Sequence, residues 1–248
     1  MRYFIELAYN GKNYHGWQAQ PNAITVQEVV EKALSTLIRE TVKVVGCGRT
    51  DTGVHAKQYY LHFETEREFD SFELCRKLNS FLPNDVAIYH IFPVTAEAHA
   101  RFDAIARTYE YLITLKKDPF LTDTAYQHNR SLDIDRLNKA SALLLNYTDF
   151  KCFSRSNTDV KTYNCKITKA VWRKQDNMLI FTITADRFLR NMVRAIVGTL
   201  LPIGLGDMDV KNMIDVIESK DRKQAGASAP GHALYLSKIE YPSSIKLL

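Results

Sequence analysis

Arg2–Tyr9 alternates, with Tyr3, Ile5, Leu7 and Tyr9 on one face, the two-residue period of a half-buried strand. Thr25 and Glu28 stand three apart, a capping box ahead of Val26, Val29, Val30, Ala33, Leu34, Leu37 and Ile38. That spacing predicts an amphipathic helix. Val42–Val45 and Gln58–Glu64 read as strands on either side of a polar, glycine-rich segment. Asp70 and Glu73 make a second capping box, opening a helix with Leu74, Cys75, Leu78, Phe81 and Leu82 inward. Pro83-Asn84-Asp85 stops it, and Val86–Val94 is the next strand.

The second half repeats the style. Arg107–Leu115 reads as a strand and Ile134–Leu145 as a helix. Lys166–Lys174 and Met178–Ala185 flank Asp176-Asn177, a hairpin signal. A helix from about Arg187 to Leu201, another over Val210–Ser219 and a strand over Leu234–Glu240 complete the chain. This pattern predicts an α+β fold: two similar mixed α/β halves with largely antiparallel sheets, helices on one face and an active-site cleft between them. The expected division is 1–105, carrying the glycine-rich segment, and 106–248.

Charge separates the halves. The 248 residues carry a net charge of +5. Residues 1–105 hold 11 Lys/Arg against 13 Asp/Glu, whereas 106–248 hold 22 against 15. The second half therefore suits a polyanion. Apolar residues at 46% and charged residues at 25% exclude a disordered or collagen-like chain. Cys47, Cys75, Cys152 and Cys165 include no C-x-x-C pair, which argues against zinc and against a disulfide scaffold. Glu6 interrupts the first apolar stretch, unlike a signal peptide, and the run around Ala195–Leu205 is shorter than the ~18 residues of a spanning helix. The expectation is a cytoplasmic protein with reduced thiols, off the membrane.

Gly46-Cys-Gly-Arg-Thr-Asp-Thr-Gly-Val-His-Ala56 is the richest stretch. Gly46, Gly48 and Gly53 leave the backbone free for positive φ or close approach. Arg49 and Asp51 bracket one threonine, and His55 follows. On composition alone this is either a turn capped by Asp51 or a ligand loop.

Gly48-Arg-Thr-Asp-Thr-Gly-Val-His-Ala56 closely resembles the G-R-T-D-x-G-V-H-A signature of the TruA family of tRNA pseudouridine synthases. The resemblance continues in order along the chain. Tyr9–Gln18 is similar to the family's opening segment, and Phe102–Tyr111 to its F-x-A-x-x-R-x-Y-x-Y segment. Phe188–Arg194 resembles F-L-x-x-M-V-R, and Ala229–Leu236 the closing A-P-x-x-G-L-x-L. Four departures stand out. Thr52 occupies the usual alanine position, Tyr147-Thr-Asp-Phe150 lacks the common histidine, Asn164 stands where arginine is frequent, and Ala233 replaces a glycine.

The resemblance implies an isomerase that turns uridine into pseudouridine at positions 38–40 of the tRNA anticodon stem-loop, as a homodimer and without a cofactor. Its catalytic aspartate maps to Asp51. An ionised carboxylate in a closed site needs a cation beside it, and the family's partner maps to Arg194. Tyr109 maps to the tyrosine set against the target base, and Arg49 to the arginine that fills the gap left by a flipped base. Each residue has a plainer reading too. Arg187, Arg190 and Arg194 can be a solvated helix face, Tyr109 and Tyr111 a core pair on one strand face, and Arg49 a surface ion-pair partner.

His55 and His62 with Asp51 lack a third ligand at sensible spacing, so no metal site is expected. Lys151–Lys174 carries seven Lys/Arg against Asp159 alone, with Tyr163 and Trp172 interleaved, which suits RNA backbone contact or a solvated hairpin. A noncatalytic RNA binder would not need a carboxylate facing phosphates. A glycosidase would need a second carboxylate to pair with Asp51.

Overall fold

The structure is a computed structural model describing residues 1–155 and 160–245; Asp159, the lone acid of the basic stretch, lies outside the described residues. In chain order these form β1 (Arg2–Tyr9), α1 (Val26–Ile38), β2 (Val45–Gly46), β3 (His55–Glu64), α2 (Ser71–Phe81), β4 (Val86–Val94) and β5 (Ala106–Thr114). There follow β6 (Tyr126–Gln127), α3 (Ile134–Leu143), β7 (Ile167–Gln175), β8 (Met178–Ala185), α4 (Met192–Leu205), α5 (Asn212–Ser219) and β9 (Leu234–Glu240). Met1–Ala106 with Tyr235–Leu248 make one compact unit, and Arg107–Leu234 the other. The closing strand, inside the 106–248 segment of the sequence division, thus lies mostly with the first unit.

In the first unit the sheet order is β4-β1-β3-β9, with β2 also on β3. The pairs of β1 with β3 and with β4 are antiparallel; β3 and β9 run parallel through His55–Tyr235 and Ala56–Leu236. Both capping residues act as the sequence predicts. Thr25 accepts the Glu28 N–H at 3.4 Å and Asp70 the Glu73 N–H at 2.8 Å. On α2, Leu74 and Leu78 are buried, but Phe81 is 48% exposed, so its expected inward place is corrected. That residue closes the last turn, where Leu82 takes the buried position.

Val42–Val45 is corrected as well: only Val45 and Gly46 pair with β3. Val42 and Val44 are buried in alternation, as in a strand. Their backbone groups go to side chains of α1 instead. Ser35 Oγ accepts the Val42 N–H at 2.9 Å, and Glu31 Oε1 accepts that of Val44 at 3.1 Å. A segment whose donors are already met gains nothing from a ladder. Strand β3 starts at His55 rather than Gln58, because Ala56 pairs with Tyr9 and the parallel β9 joins at the same point.

The second unit has the antiparallel order β5-β8-β7, with β6 parallel to β5. The two-residue turn between β7 and β8 is present, with Asp176 at φ +51. Helix α3 packs on β7 and on α4. Asn138 of α3 both receives the Trp172 N–H and donates to its carbonyl, at 2.8 and 3.1 Å, satisfying the backbone of β7.

Helix α4 begins at Met192, not Arg187. Asn191 sits in the left-handed region at φ +67 and interrupts any helix running in from Arg187. The preceding residues are held elsewhere: Asp186 Oδ1 accepts the Arg187 N–H, and the Arg190 carbonyl accepts that of Arg155. Arg187 and Arg190 therefore share no helical face with Arg194, correcting that expectation. The helix also runs past Pro202 to Leu205 and ends at Gly206, φ +80. No helix among the described residues is long and apolar enough to cross a membrane.

Candidate active site

The glycine-rich segment becomes a pinned loop. The Asp51 carbonyl accepts the Val54 N–H at 3.1 Å, closing a four-residue turn with Gly53 at φ +75, where a side chain would be strained. Gly53 is the only glycine of this loop with positive φ. Asp51 is half-buried, not buried, and Arg49 is exposed. Two phenols hold the residues that flank Arg49. Tyr59 donates to the Gly48 carbonyl at 2.5 Å, and Tyr9 Oη lies 2.8 Å from Thr50 Oγ1. Alternate residues are tethered inward, so the one between them is left outward.

The opening motif, Tyr9–Gln18, braces this loop. Tyr14 accepts the Gly53 N–H at 3.3 Å, and His55 Nδ1 accepts the Gly11 N–H at 3.0 Å. A Cβ on Gly16, itself at φ +86, would stand 2.2 Å from the Thr50 carbonyl oxygen. Trp17 stacks on Tyr59 with centroids 4.1 Å apart, and Tyr9 meets Tyr59 edge-on. Asp85 anchors the brace from outside. It accepts from the Tyr14 hydroxyl and from Asn13, and burial followed by this acidic partner pushes the Tyr14 phenol well above its ordinary range. Asp85 gave no sequence signal beyond a helix stop.

In the second unit, Tyr109, Tyr111 and Ile113 share one face of β5, of which Tyr111 and Ile113 are fully buried. Tyr109 is half-buried, with the Phe188 ring edge-on at 5.2 Å. The Tyr111 hydroxyl donates to the Pro230 carbonyl at 3.0 Å. Burial raises this phenol strongly, and the nearby Arg194 charge pulls against that rise. Arg194, in the first turn of α4, donates through Nε to the Ala229 carbonyl at 2.7 Å and accepts the Ala229 N–H at its own carbonyl. Three motifs distant in sequence thus meet around one arginine. The Ala229 carbonyl could not be picked out as a partner, since a backbone acceptor carries no residue signature.

Arg49 and Asp51 share a loop of the first unit, and Tyr109 and Arg194 belong to the second. Other candidates resolve differently. His55 is buried and stacked on Tyr235 at 4.6 Å, its Nδ1 engaged with Gly11. His62 Nδ1 accepts the Ala100 N–H at 3.1 Å. Its pKa is lowered to about 4 by burial first, then by the neighbouring His99 and Arg2 charges. Trp172 is 2% exposed, stacked on Phe181 and bonded to Ser141, so it is a core residue and not an aromatic of an RNA surface. The lysines around it, Lys161, Lys166, Lys169 and Lys174, are exposed.

A sequence model described as tRNA pseudouridine synthase matches residues 7–103 and 140–242. A protein of Porphyromonas gingivalis named tRNA pseudouridine synthase A is 53% identical over 250 residues, covering 99% of each chain. One of the same name in Parabacteroides distasonis is 53% identical over 98% of this chain and 97% of its own. Another in Francisella tularensis subsp. novicida is 38% identical over 97% and 94%. The likeness runs through both units, and this chain belongs to the tRNA pseudouridine synthase family.

Proposed function

We propose that this protein isomerises uridine to pseudouridine in tRNA, at positions 38–40 of the anticodon stem-loop, with Asp51 as its catalytic carboxylate. The N1–C1′ bond breaks, the base turns, and C5 joins C1′. Nothing is oxidised and no group leaves the substrate, so the reaction balances without a cofactor. The carboxylate acts ionised, as nucleophile or as base. Arg194, in the second unit, is the cation that holds that charge. Tyr109 walls the extruded base, and Arg49, outward on its loop, fills the space the base leaves. The exposed lysines of the second unit meet phosphates. The protein acts in the cytoplasm as a homodimer.

The observation that carries this reading is the loop itself, which presents Asp51 half-buried and Arg49 exposed while Gly48 and Thr50 on either side of Arg49 are tied down. The test is to map pseudouridine in tRNA after incubation with the wild type and with Asp51→Asn, using substrates in which single uridines at 38, 39 or 40 are replaced. Loss of all product with Asp51→Asn, at tRNA affinity within several-fold, is the expected result. Activity of even about a tenth of wild type removes Asp51 from the role, since losing an essential nucleophile or base costs orders of magnitude.

A further inference from the structure

We propose that Tyr9 is a positioning residue for Asp51, acting through the hydroxyl of Thr50; the inference rests on the catalytic reading of Asp51 given above. Tyr9 is the last residue of β1, 4% exposed, with its ring set against Trp17 and Tyr59. Strands on both sides hold it, through pairs with Ala56 and Val86. Its phenol is therefore a fixed post of the sheet. At 2.8 Å from Thr50 Oγ1 it reaches the residue just before Asp51. The other side of Thr50 is fixed too, because its carbonyl lies against the Gly16 backbone. A side chain held at one end and a peptide held at the other leave the next residue little freedom. The rate of a reaction at a carboxylate depends steeply on placement, and errors below 1 Å are felt.

The same geometry separates Tyr9 from a merely structural tyrosine. Its ring packing survives in Tyr9→Phe, and the bond to Thr50 is lost. Binding of tRNA, spread over many phosphates, does not depend on that bond.

The experiment measures steady-state kinetics and melting of Tyr9→Phe, Thr50→Val, Thr50→Ser and the Tyr9→Phe/Thr50→Val pair, with Asp51→Asn alongside. Tyr9→Phe and Thr50→Val should each lower kcat about ten-fold or more with KM within about two-fold of wild type. Thr50→Ser, which keeps the hydroxyl, should recover most of the rate lost in Thr50→Val. The double variant should be no slower than the slower single one, since both remove one bond. A kcat for Tyr9→Phe within about two-fold of wild type, a rise in KM without a fall in kcat, or fully multiplicative losses overturns the proposal. If Tyr9→Phe does not fold, the Thr50→Val and Thr50→Ser contrast decides alone. Activity retained by Asp51→Asn overturns the catalytic reading and this inference with it; an inactive Asp51→Asn beside a fully active Tyr9→Phe overturns only the positioning role.

Discussion

The Asp51 loop and the Arg194 face solve the same problem by opposite means. Around Asp51 it is the loop that is held: the Gly48 carbonyl and the Gly53 and Val54 N–H groups meet a partner from another segment or close the turn, and the Thr50 hydroxyl meets Tyr9. Around Arg194 the long side chain itself is tied, with Nε on the Ala229 carbonyl. Side-chain size and position explain the difference. A carboxylate on one methylene goes where its backbone goes, so fixing the loop fixes the group. A guanidinium at the end of a long chain must be held at its head. The first arrangement is sensitive to backbone changes, the second to loss of one donor.

That contrast is most easily broken at Gly16. Gly16→Ala forces a Cβ onto the Thr50 carbonyl at an already left-handed φ, and should cost about 2–4 kcal/mol of stability along with most activity. Gly48→Ala, with nothing within 4 Å and an ordinary φ, should shift stability by less than about 0.5 kcal/mol. Thermal melting of the two variants reads the comparison directly, and equal losses would mean that the brace does not hold the loop.

Arg194→Lys keeps the charge and removes the Nε bond. It should lower kcat by about 10²-fold while costing about 1–3 kcal/mol in denaturant melts, the penalty of a strained or unmet carbonyl. Full activity in the lysine variant would show that charge alone, not the tether, is what the face supplies.

His62 offers a test confined to the first unit. Its folded pKa of about 4 lies below the ordinary value of 6.5, so the unfolded chain binds more protons between them. Its contribution is complete above about 6.5 and is lost as pH falls towards 4, a change of about 3 kcal/mol by linkage that solvent screening reduces to about 2 kcal/mol. Urea melts across that window should show the fall, and His62→Gln should flatten it. A slope unchanged in His62→Gln would assign acid sensitivity to other groups.

The smallest expected effect is on the second unit's surface. Lys161→Ala with Lys166→Ala should weaken tRNA binding several-fold and reduce the salt slope by about 1–2, with kcat at saturation unchanged. Wild-type affinity and slope together would make that stretch a solvated surface only.

The elements with strong local codes were legible before folding. Capping boxes at Thr25 and Asp70, the turn at Asp176-Asn177 and the alternation of β1 all depend on residues a few positions apart, and each occurs in the structure. The motifs that carry the family were legible too, since they are recognised by residue type and order. What escaped depends on partners far along the chain. Val42–Val45 has a strand's alternation, but Ser35 and Glu31 claim its backbone groups. Arg187 has a helix's spacing, but Asn191 adopts a left-handed backbone while its side chain donates to Ser228. Trp172 sits in a basic stretch, yet its ring lies in the core. Periodicity states which face of an element is apolar; it does not state which distant group will satisfy a given N–H. Only the folded chain decides that, because each buried donor takes whichever acceptor tertiary packing delivers to it.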